Sequence, residues 1–159
     1  MDVAYRNIVK ESDISVITAL TRNTDFFRED EVLIAQNLIA ELVIDPESIY
    51  KFLIAEVQGQ VVGYTCYNKI ECSLISYDLD WVVVDKNFQG QQIGKALLRK
   101  TEDIIFAAGG KFIYAETSGQ ALYENTRKFY LACNFKLAAE FPDFYDFGDN
   151  KLVFVKKLF

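Results

Sequence analysis

A chain of 159 residues, of which 51% are hydrophobic, is long enough to bury a core as one domain without disulfides or metal ions. Its net charge of −6 argues against a general binder of nucleic-acid phosphates, although backbone N–H groups could still hold an anionic cofactor. The absence of histidine excludes Ser-His-Asp and Cys-His catalysis and most catalytic zinc sites. Acid–base chemistry must therefore use carboxylates, Tyr, Lys, Cys or water.

The N-terminus and the cysteines favour an intracellular protein. The first six residues lack the apolar run of a signal peptide, and no stretch reaches the ~18 apolar residues of a membrane helix. Cys66, Cys72 and Cys133 match no zinc or CxxC spacing and are expected to be reduced thiols. We expect a cytoplasmic protein of one domain, residues 1–159, with no membrane contact, no nucleic-acid partner and no metal.

The N-terminal part is predicted to form a strand over residues 3–9 and then two helices. Ser12 and Asp13 are candidate caps for the first helix, which is followed by a loop over residues 21–28. Residues 29–44 form the second helix, which begins with three acidic residues that suit its dipole. Its predicted buried face consists of Val32, Leu33, Gln36, Leu38, Ile39, Leu42 and Val43.

The middle of the chain is predicted to form a hairpin and a central strand. Residues 50–57 and 61–67 are rich in β-forming residues and are separated by a glycine-containing turn. Residues 76–85 form a further strand, whose apolar block Trp81-Val82-Val83-Val84 predicts cover on both faces.

The C-terminal part alternates helices and strands. Residues 95–108 and 124–133 are predicted helices, the second with Leu122, Phe129 and Leu131 as apolar anchors. The remaining predicted strands cover residues 112–117, 135–141 and 152–157. The order β-α-α-β-β-β-α-β-α-β-β predicts an α+β fold, with a mixed sheet and helices on both of its faces.

The turn Gln89-Gly90-Gln91-Gln92-Ile93-Gly94 joins the central strand directly to a helix. The free N–H groups of such a helix start, together with the helix dipole, form an anion site for which a pyrophosphate is the natural ligand. The glycine spacing fits neither a Walker A loop nor a Rossmann fingerprint. A tight turn that binds no ligand is the remaining alternative.

The stretch from Asp80 to Leu98 resembles the signature of the GNAT N-acetyltransferase superfamily, [RQ]-x-x-[GA]-x-[GA] after a strand that ends in V-x-P. Gln89 fills the first position and Gly94 the last, whereas Gln92 replaces the middle glycine and Lys86 the proline. Residues 126–135 resemble the family's helix ending in FY-x-x-x-[GN]-F, and the tail is similar to a subgroup that mostly lacks an assigned substrate. A positive φ at Gln92 would strain this residue more than glycine.

The resemblance implies a GNAT fold with a mostly antiparallel sheet of about seven strands, and direct attack of an amine on the thioester of acetyl-CoA, the co-substrate. The strand residues Val82, Val83 and Val84 would pair with the pantetheine arm, and the N–H near Val83 or Val84 would stabilise the oxyanion. The resemblance assigns the pyrophosphate to the turn residues Gln89, Gly90, Gln91, Gln92, Ile93, Gly94 and Lys95.

The resemblance also assigns the acid and the base. Tyr130 falls on the family's general acid, whereas a core tyrosine bonded to backbone is the alternative. Glu116 falls on a strand position that carries the general base in some members, and a solvated or ion-paired glutamate is the alternative. Asp80 and Asp78 are further candidate bases, because alternation places them on one face of the preceding strand. Cys133 has no histidine partner and is expected to be a packing residue.

The acceptor is expected to be a primary amine of a small molecule, peptide or protein. In the family, two segments wall its pocket: here residues 23–31 with Phe26 and Phe27, and residues 143–149 with Phe144 and Tyr145. Aromatic and acidic residues suit an amine with an apolar body, but they could also form an ordinary hydrophobic plug. A homodimer through C-terminal edge strands is possible. A non-catalytic acyl-CoA-binding or sensor domain, and a structural module without a ligand, are the alternative functions.

Overall fold

The computed structural model describes all 159 residues, and its elements follow the predicted order. The strands are β1 (Ala4–Arg6), β2 (Tyr50–Val57), β3 (Gln60–Lys69), β4 (Ser76–Val84), β5 (Phe112–Ser118), β6 (Lys136–Asp146) and β7 (Asp149–Lys157). The helices are α1 (Glu11–Asn23), α2 (Glu29–Ile44), α3 (Ile93–Ala107) and α4 (Glu124–Ala132), and the single turn Ala121–Tyr123 is a 3₁₀-helix.

The seven strands form one mixed sheet in the order β1-β2-β3-β4-β5-β7-β6. β4 and β5 pair in parallel, whereas the pairs β1–β2, β2–β3, β5–β7 and β6–β7 are antiparallel. The predicted α+β fold, with a mostly antiparallel sheet of seven strands, is therefore confirmed. No helix has the length and apolar character needed to cross a bilayer.

The first strand and helix differ from their predicted bounds. β1 ends at Arg6, whose guanidinium donates to the Ile8 carbonyl and to the Asp13 carboxylate and so directs the chain towards α1. Asp13 is not the cap but lies in the first turn of α1, where it accepts the Lys10 N–H at 2.7 Å. Thr21 belongs to the helix rather than to a loop, because it is buried there and hydrogen-bonds to Tyr64 at 2.8 Å.

The second helix has the predicted bounds but a narrower buried face. Val32, Ala35, Ile39 and Leu42 are buried at helical spacing. Leu33, predicted to be buried, is 44% exposed, because it lies outside this stripe.

The strand β4 is covered less completely than predicted. Leu79 and Val83 are buried, whereas Val82 and Val84, which alternate with them, are only partly buried. The prediction that Leu122 and Leu131 are apolar anchors of α4 is also wrong, because their side chains are 62% and 54% exposed.

The last two strands are longer than predicted, and most of the expected connection is strand. β6 continues to Asp146, and only Phe147 and Gly148 separate it from β7. Asp143 makes this possible at a φ of 53°, since its N–H donates to Asn150 Oδ1 and its carboxylate accepts the Gly148 N–H. These side-chain bonds replace ladder bonds where the register shifts.

The chain forms two compact units. The first contains residues 1–68 and 81–101, and the second contains residues 69–80 and 102–159. In the first, Ile17, Ile39, Phe52, Ile54 and Tyr64 belong to one buried cluster, to which Val83 of β4 also belongs. The largest fully buried side chains of the second are those of Phe135, Ile105 and Ile113.

Candidate active site

The turn between β4 and α3 is fixed by its own hydrogen bonds. The Phe88 N–H donates to the Asp85 carbonyl and the Asn87 N–H donates to the Asp85 carboxylate, each at 2.8 Å. The Gln89 side-chain amide donates to the Val84 carbonyl at 3.1 Å. Gln89 therefore stabilises the end of β4 and leaves the following backbone in a fixed conformation.

The first turn of α3 presents backbone donors. The Ala96 N–H donates to the Gln92 carbonyl at 3.0 Å, so the helical hydrogen-bond pattern begins there. The N–H groups of Ile93, Gly94 and Lys95 precede this bond and have no acceptor within the helix. Free N–H groups of this kind, together with the helix dipole, suit an anion such as a pyrophosphate.

Gln92 adopts the backbone conformation that the family pattern assigns to glycine. Its φ is 65°, and Gly90 two residues earlier has a φ of 75°. A left-handed conformation costs a residue with a side chain about 1–2 kcal/mol. The strain expected from the sequence is therefore present.

Gln92→Gly is expected to raise the free energy of unfolding by about 0.5–1 kcal/mol, since glycine adopts positive φ without strain but is more flexible when unfolded. Urea unfolding measures the change. Gln91→Gly is the matched control, because Gln91 is exposed and has no positive φ, and this variant should be less stable than the parent. A loss of stability in Gln92→Gly would contradict this account of the turn.

The backbone of β4 turns alternate N–H groups towards opposite edges of the strand. The Asp85 N–H donates to the Val62 carbonyl of β3 at 2.8 Å, so residues of the same parity, including Val83, face β3. Val82 and Val84 face the other edge, where the pairing of β4 with β5 ends at Asp78. Of the two N–H groups expected to face a thioester, that of Val84 lies on this unpaired edge and that of Val83 does not.

Three carboxylates line a cavity of about 220 Å³ in the second unit. They are Asp78 and Asp80 of β4 and Glu116 of β5, the three candidate bases from the sequence. Leu79, Tyr114 and Tyr145 complete the lining. The structure thus brings all three candidates to one place.

The acidity of Asp80 is strongly altered by its surroundings. Its side chain opens to the cavity, yet the enclosing protein desolvates the carboxylate, and Asp78 and Glu116 add negative charge. These effects raise the pKa of Asp80 to about 7, with desolvation by the surrounding protein atoms the largest cause. Burial, and then Glu116, also raise the pKa of Asp78, while Lys151 opposes this rise. Asp80 can therefore exchange a proton near neutral pH.

Glu116 has an ion-pair partner that the sequence did not reveal. Lys151 of β7 places its Nζ 3.1 Å from Glu116 Oε1 and 4.2 Å from the centre of the Phe144 ring. The Glu116 side chain is 49% exposed. The pairing is the alternative anticipated for Glu116, and it leaves Asp80 as the carboxylate best placed to accept a proton.

Tyr130 is buried among aromatic rings. Its ring centre lies 5.4 Å from that of Phe135 and 5.8 Å from that of Phe154. The core-tyrosine alternative predicted a hydrogen bond between the Tyr130 hydroxyl and the backbone, and the structure contains no such bond. Burial, with a smaller contribution from Cys133, raises the pKa of Tyr130, so the phenol stays protonated at neutral pH and can donate.

The two predicted acceptor walls differ in character. Phe27 packs against Trp81 at 4.9 Å between ring centres and lies at the border of the first unit's core, as an ordinary packing residue would. Tyr145 lines the carboxylate cavity and contacts Phe144 at 5.1 Å. None of the cysteines forms a disulfide, and Cys133 lies at the end of α4, as expected for a packing residue.

A larger cavity of about 410 Å³ lies beside α1 in the first unit. Its main cation, Arg6, already donates to Asp13 and Glu56 at 2.7–2.8 Å. Arg6, Asp13 and Glu56 in this cavity are thus already paired with one another.

Comparison with known proteins identifies the family. The model of the acetyltransferase (GNAT) family matches residues 15–135. A Desulfovibrio desulfuricans structure assigned to the GNAT family is 31% identical, with a TM-score of 0.96 over 99% of this chain and 100% of the other.

Two further relatives agree with this result. An uncharacterized N-acetyltransferase of Methanocaldococcus jannaschii is 28% identical over 114 residues; the match covers 67% of this chain but only 65% of that relative. The PaiA N-acetyltransferase of Thermoplasma acidophilum, solved with coenzyme A, has the same fold at 18% identity, with a TM-score of 0.75 over 99% of both chains. These names agree with the predicted enzyme class, N-acetyltransferase. The chain belongs to the acetyltransferase (GNAT) family.

Proposed function

We propose that residues 1–159 act as one domain that transfers an acetyl group from acetyl-CoA to a primary amine. The observation that carries this proposal is the turn after β4 in a member of this family, with positive φ at Gly90 and Gln92 and free N–H groups at the start of α3. The N–H groups from Gln92 to Lys95 hold the pyrophosphate, and the Lys95 ammonium adds a positive charge.

The unpaired edge of β4 binds the rest of the co-substrate. The N–H groups of Val82 and Val84 are free to donate there as those of an edge strand do, whereas the Val84 carbonyl already accepts the Gln89 side-chain amide. Val82 lies two residues, or about 7 Å of strand, from Asp80, whereas Val84 lies about 13 Å away. We therefore assign the oxyanion donor to the Val82 N–H and the pairing with the arm to Val84.

Asp80 and Tyr130 move the two protons of the reaction. Asp80, with its pKa near 7, takes the proton from the attacking ammonium, directly or through water. As the tetrahedral intermediate collapses and its C–S bond breaks, the Tyr130 hydroxyl gives a proton to the departing thiolate. The second proton that the attacking nitrogen must lose passes through water and returns Tyr130 to its protonated form. Asp78 and Glu116 remain alternative bases, and the cluster of three carboxylates suits a cationic acceptor from a small molecule, peptide or protein.

Isothermal titration calorimetry with acetyl-CoA tests the proposal, and we expect a micromolar dissociation constant. Lys95→Glu should weaken binding about tenfold by reversing one charge beside the phosphates, without loss of stability, since glutamate is favourable in the first turn of a helix. Arg99→Glu, one turn further along α3, is the matched control and should bind nearly as well as the parent. Absence of acetyl-CoA binding in the native protein would refute the proposal.

A non-catalytic acyl-CoA-binding module is the second candidate. Gln92 favours it, because this residue departs from the family pattern at a φ of 65°. Both candidates require acetyl-CoA binding, and only the enzyme requires Asp80 and Tyr130 to act on protons.

A further inference from the structure

Gly63 of β3 is a glycine required for space rather than for backbone conformation. Its φ is not positive, unlike that of Gly59 in the preceding turn, which is 80°. A Cβ added at Gly59 would meet nothing within 4 Å, whereas one added at Gly63 would meet three atoms. The absence of a side chain at Gly63 is therefore what its surroundings need.

The closest of these atoms belongs to the backbone of β4. A Cβ at Gly63 would lie 2.8 Å from the Val83 carbonyl oxygen and 3.5 Å from Val84 Cα. The third atom, Leu97 Cδ1 at 3.1 Å, is the end of a flexible side chain and could move. The Val83 carbonyl can move only if β4 itself moves or turns.

A bulge in β3 lies at the same place. Ala55 is opposite Gly63, but Glu56 is opposite Val61, so Val62 is the extra residue. The Val62 carbonyl accepts the Asp85 N–H at 2.8 Å, and Gly63 lies against the Val83 carbonyl. Val62 thus holds the chain at the end of β4 by a backbone hydrogen bond, and the adjacent Gly63 leaves room for the Val83 carbonyl.

This contact sets the direction of the next N–H group. A trans peptide is planar, so the Val84 N–H points away from the Val83 carbonyl and therefore away from β3. We propose that Gly63 is a positioning residue for acyl-CoA: its missing side chain lets β4 lie where the Val84 N–H faces the pantetheine arm. This inference rests on the function proposed above.

The test compares two ligands that share the phosphates. Coenzyme A has the pantetheine arm, and 3′-phosphoadenosine 5′-diphosphate lacks it. In the native protein we expect coenzyme A to bind at least about tenfold more tightly, as two or more net hydrogen bonds would give. In Gly63→Ala this ratio should fall about fivefold or more, while the dissociation constant of the arm-less ligand changes less than about twofold.

Gly59→Ala is the matched control, since it strains the same hairpin without touching β4, and it should lose stability but keep the native ratio. An unchanged ratio in Gly63→Ala, with native coenzyme A binding intact, would overturn the inference and spare the proposed function. If the native protein binds neither ligand, both the inference about Gly63 and the proposed function are refuted.

If Gly63→Ala does not fold, hydrogen exchange in the native chain tests whether the Val84 N–H faces the pantetheine arm. The Val84 amide should be protected by coenzyme A and not by 3′-phosphoadenosine 5′-diphosphate. Equal protection by both ligands, or by neither, would mean that Gly63 has no such N–H to position.

Discussion

Replacing Tyr130 by Phe is expected to lower kcat about 100-fold or more, because general-acid catalysis is commonly worth 10²–10⁴. The dissociation constant of coenzyme A should stay within about twofold, since the hydroxyl has no partner in the protein and one oxygen atom is all that is removed. Its raised pKa keeps the phenol protonated over the working range, so the loss should not depend on pH. Steady-state kinetics and calorimetry measure the two quantities.

Tyr64→Phe separates a chemical role of Tyr130 from a general effect of losing a buried hydroxyl. Tyr64 is fully buried and hydrogen-bonds to Thr21 at 2.8 Å, so its loss should cost about 1 kcal/mol of stability with little change in kcat. Unchanged kcat in Tyr130→Phe would remove Tyr130 from the mechanism.

Asp80→Asn is expected to lower kcat/KM about 100-fold or more above pH 8, where the native carboxylate is ionised. Because the pKa of Asp80 is raised to about 7, native kcat/KM should increase as pH rises through this value and level off above it. The variant should lack this increase. The pH profile of kcat/KM for both proteins, with any accepted amine, measures the effect.

The same variant should change how stability depends on pH. The pKa of Asp80 is higher in the folded chain, about 7, than its ordinary value of 3.8. Between these values the folded state binds more protons than the unfolded state, so the contribution of Asp80 to stability falls as pH rises. Relative to the native protein, Asp80→Asn should therefore gain stability between pH 5 and pH 8 in urea unfolding.

Glu116→Gln and Asp78→Asn test the other two candidate bases. If Asp80 is the base, both variants keep the rise of kcat/KM with pH, shifted to lower pH because each change removes a negative charge near Asp80. If Glu116→Gln alone loses this rise, Glu116 is the base, as the family pattern predicted.

The sequence predicted most elements because their signals were local. The bounds of α2 are those predicted, since three acidic residues precede its apolar stripe and Pro46 follows it. The extent of β6 was missed because it depends on bonds between Asp143 and residues on the facing strand and turn, Asn150 and Gly148. These hydrogen bonds can be identified only once the register between β6 and β7 is known, and the sequence does not give that register.

The positions of the turn and of Tyr130 in the fold were predictable in the same measure, whereas their chemical roles are proposals. The turn and Tyr130 occupy short continuous motifs, and the structure places the turn after β4 and Tyr130 in α4, as these motifs predict. The ranking of the carboxylates was not predictable, since it depends on Lys151, which lies 35 residues from Glu116 in the sequence. The role of Gly63 was hidden for the same reason, because no local pattern shows that β4 lies against it.

The most direct test of the proposed function is an assay of free thiol released from acetyl-CoA in the presence of a panel of amines. The panel should include small aliphatic amines, diamines, amino acids, aminoglycosides and peptides with free N-termini. We predict amine-dependent thiol release, and an acetylated amine by mass spectrometry, for at least one member, with strong loss in Asp80→Asn and Tyr130→Phe. Tight acetyl-CoA binding without release for any amine would contradict the enzyme assignment and leave the acyl-CoA-binding module.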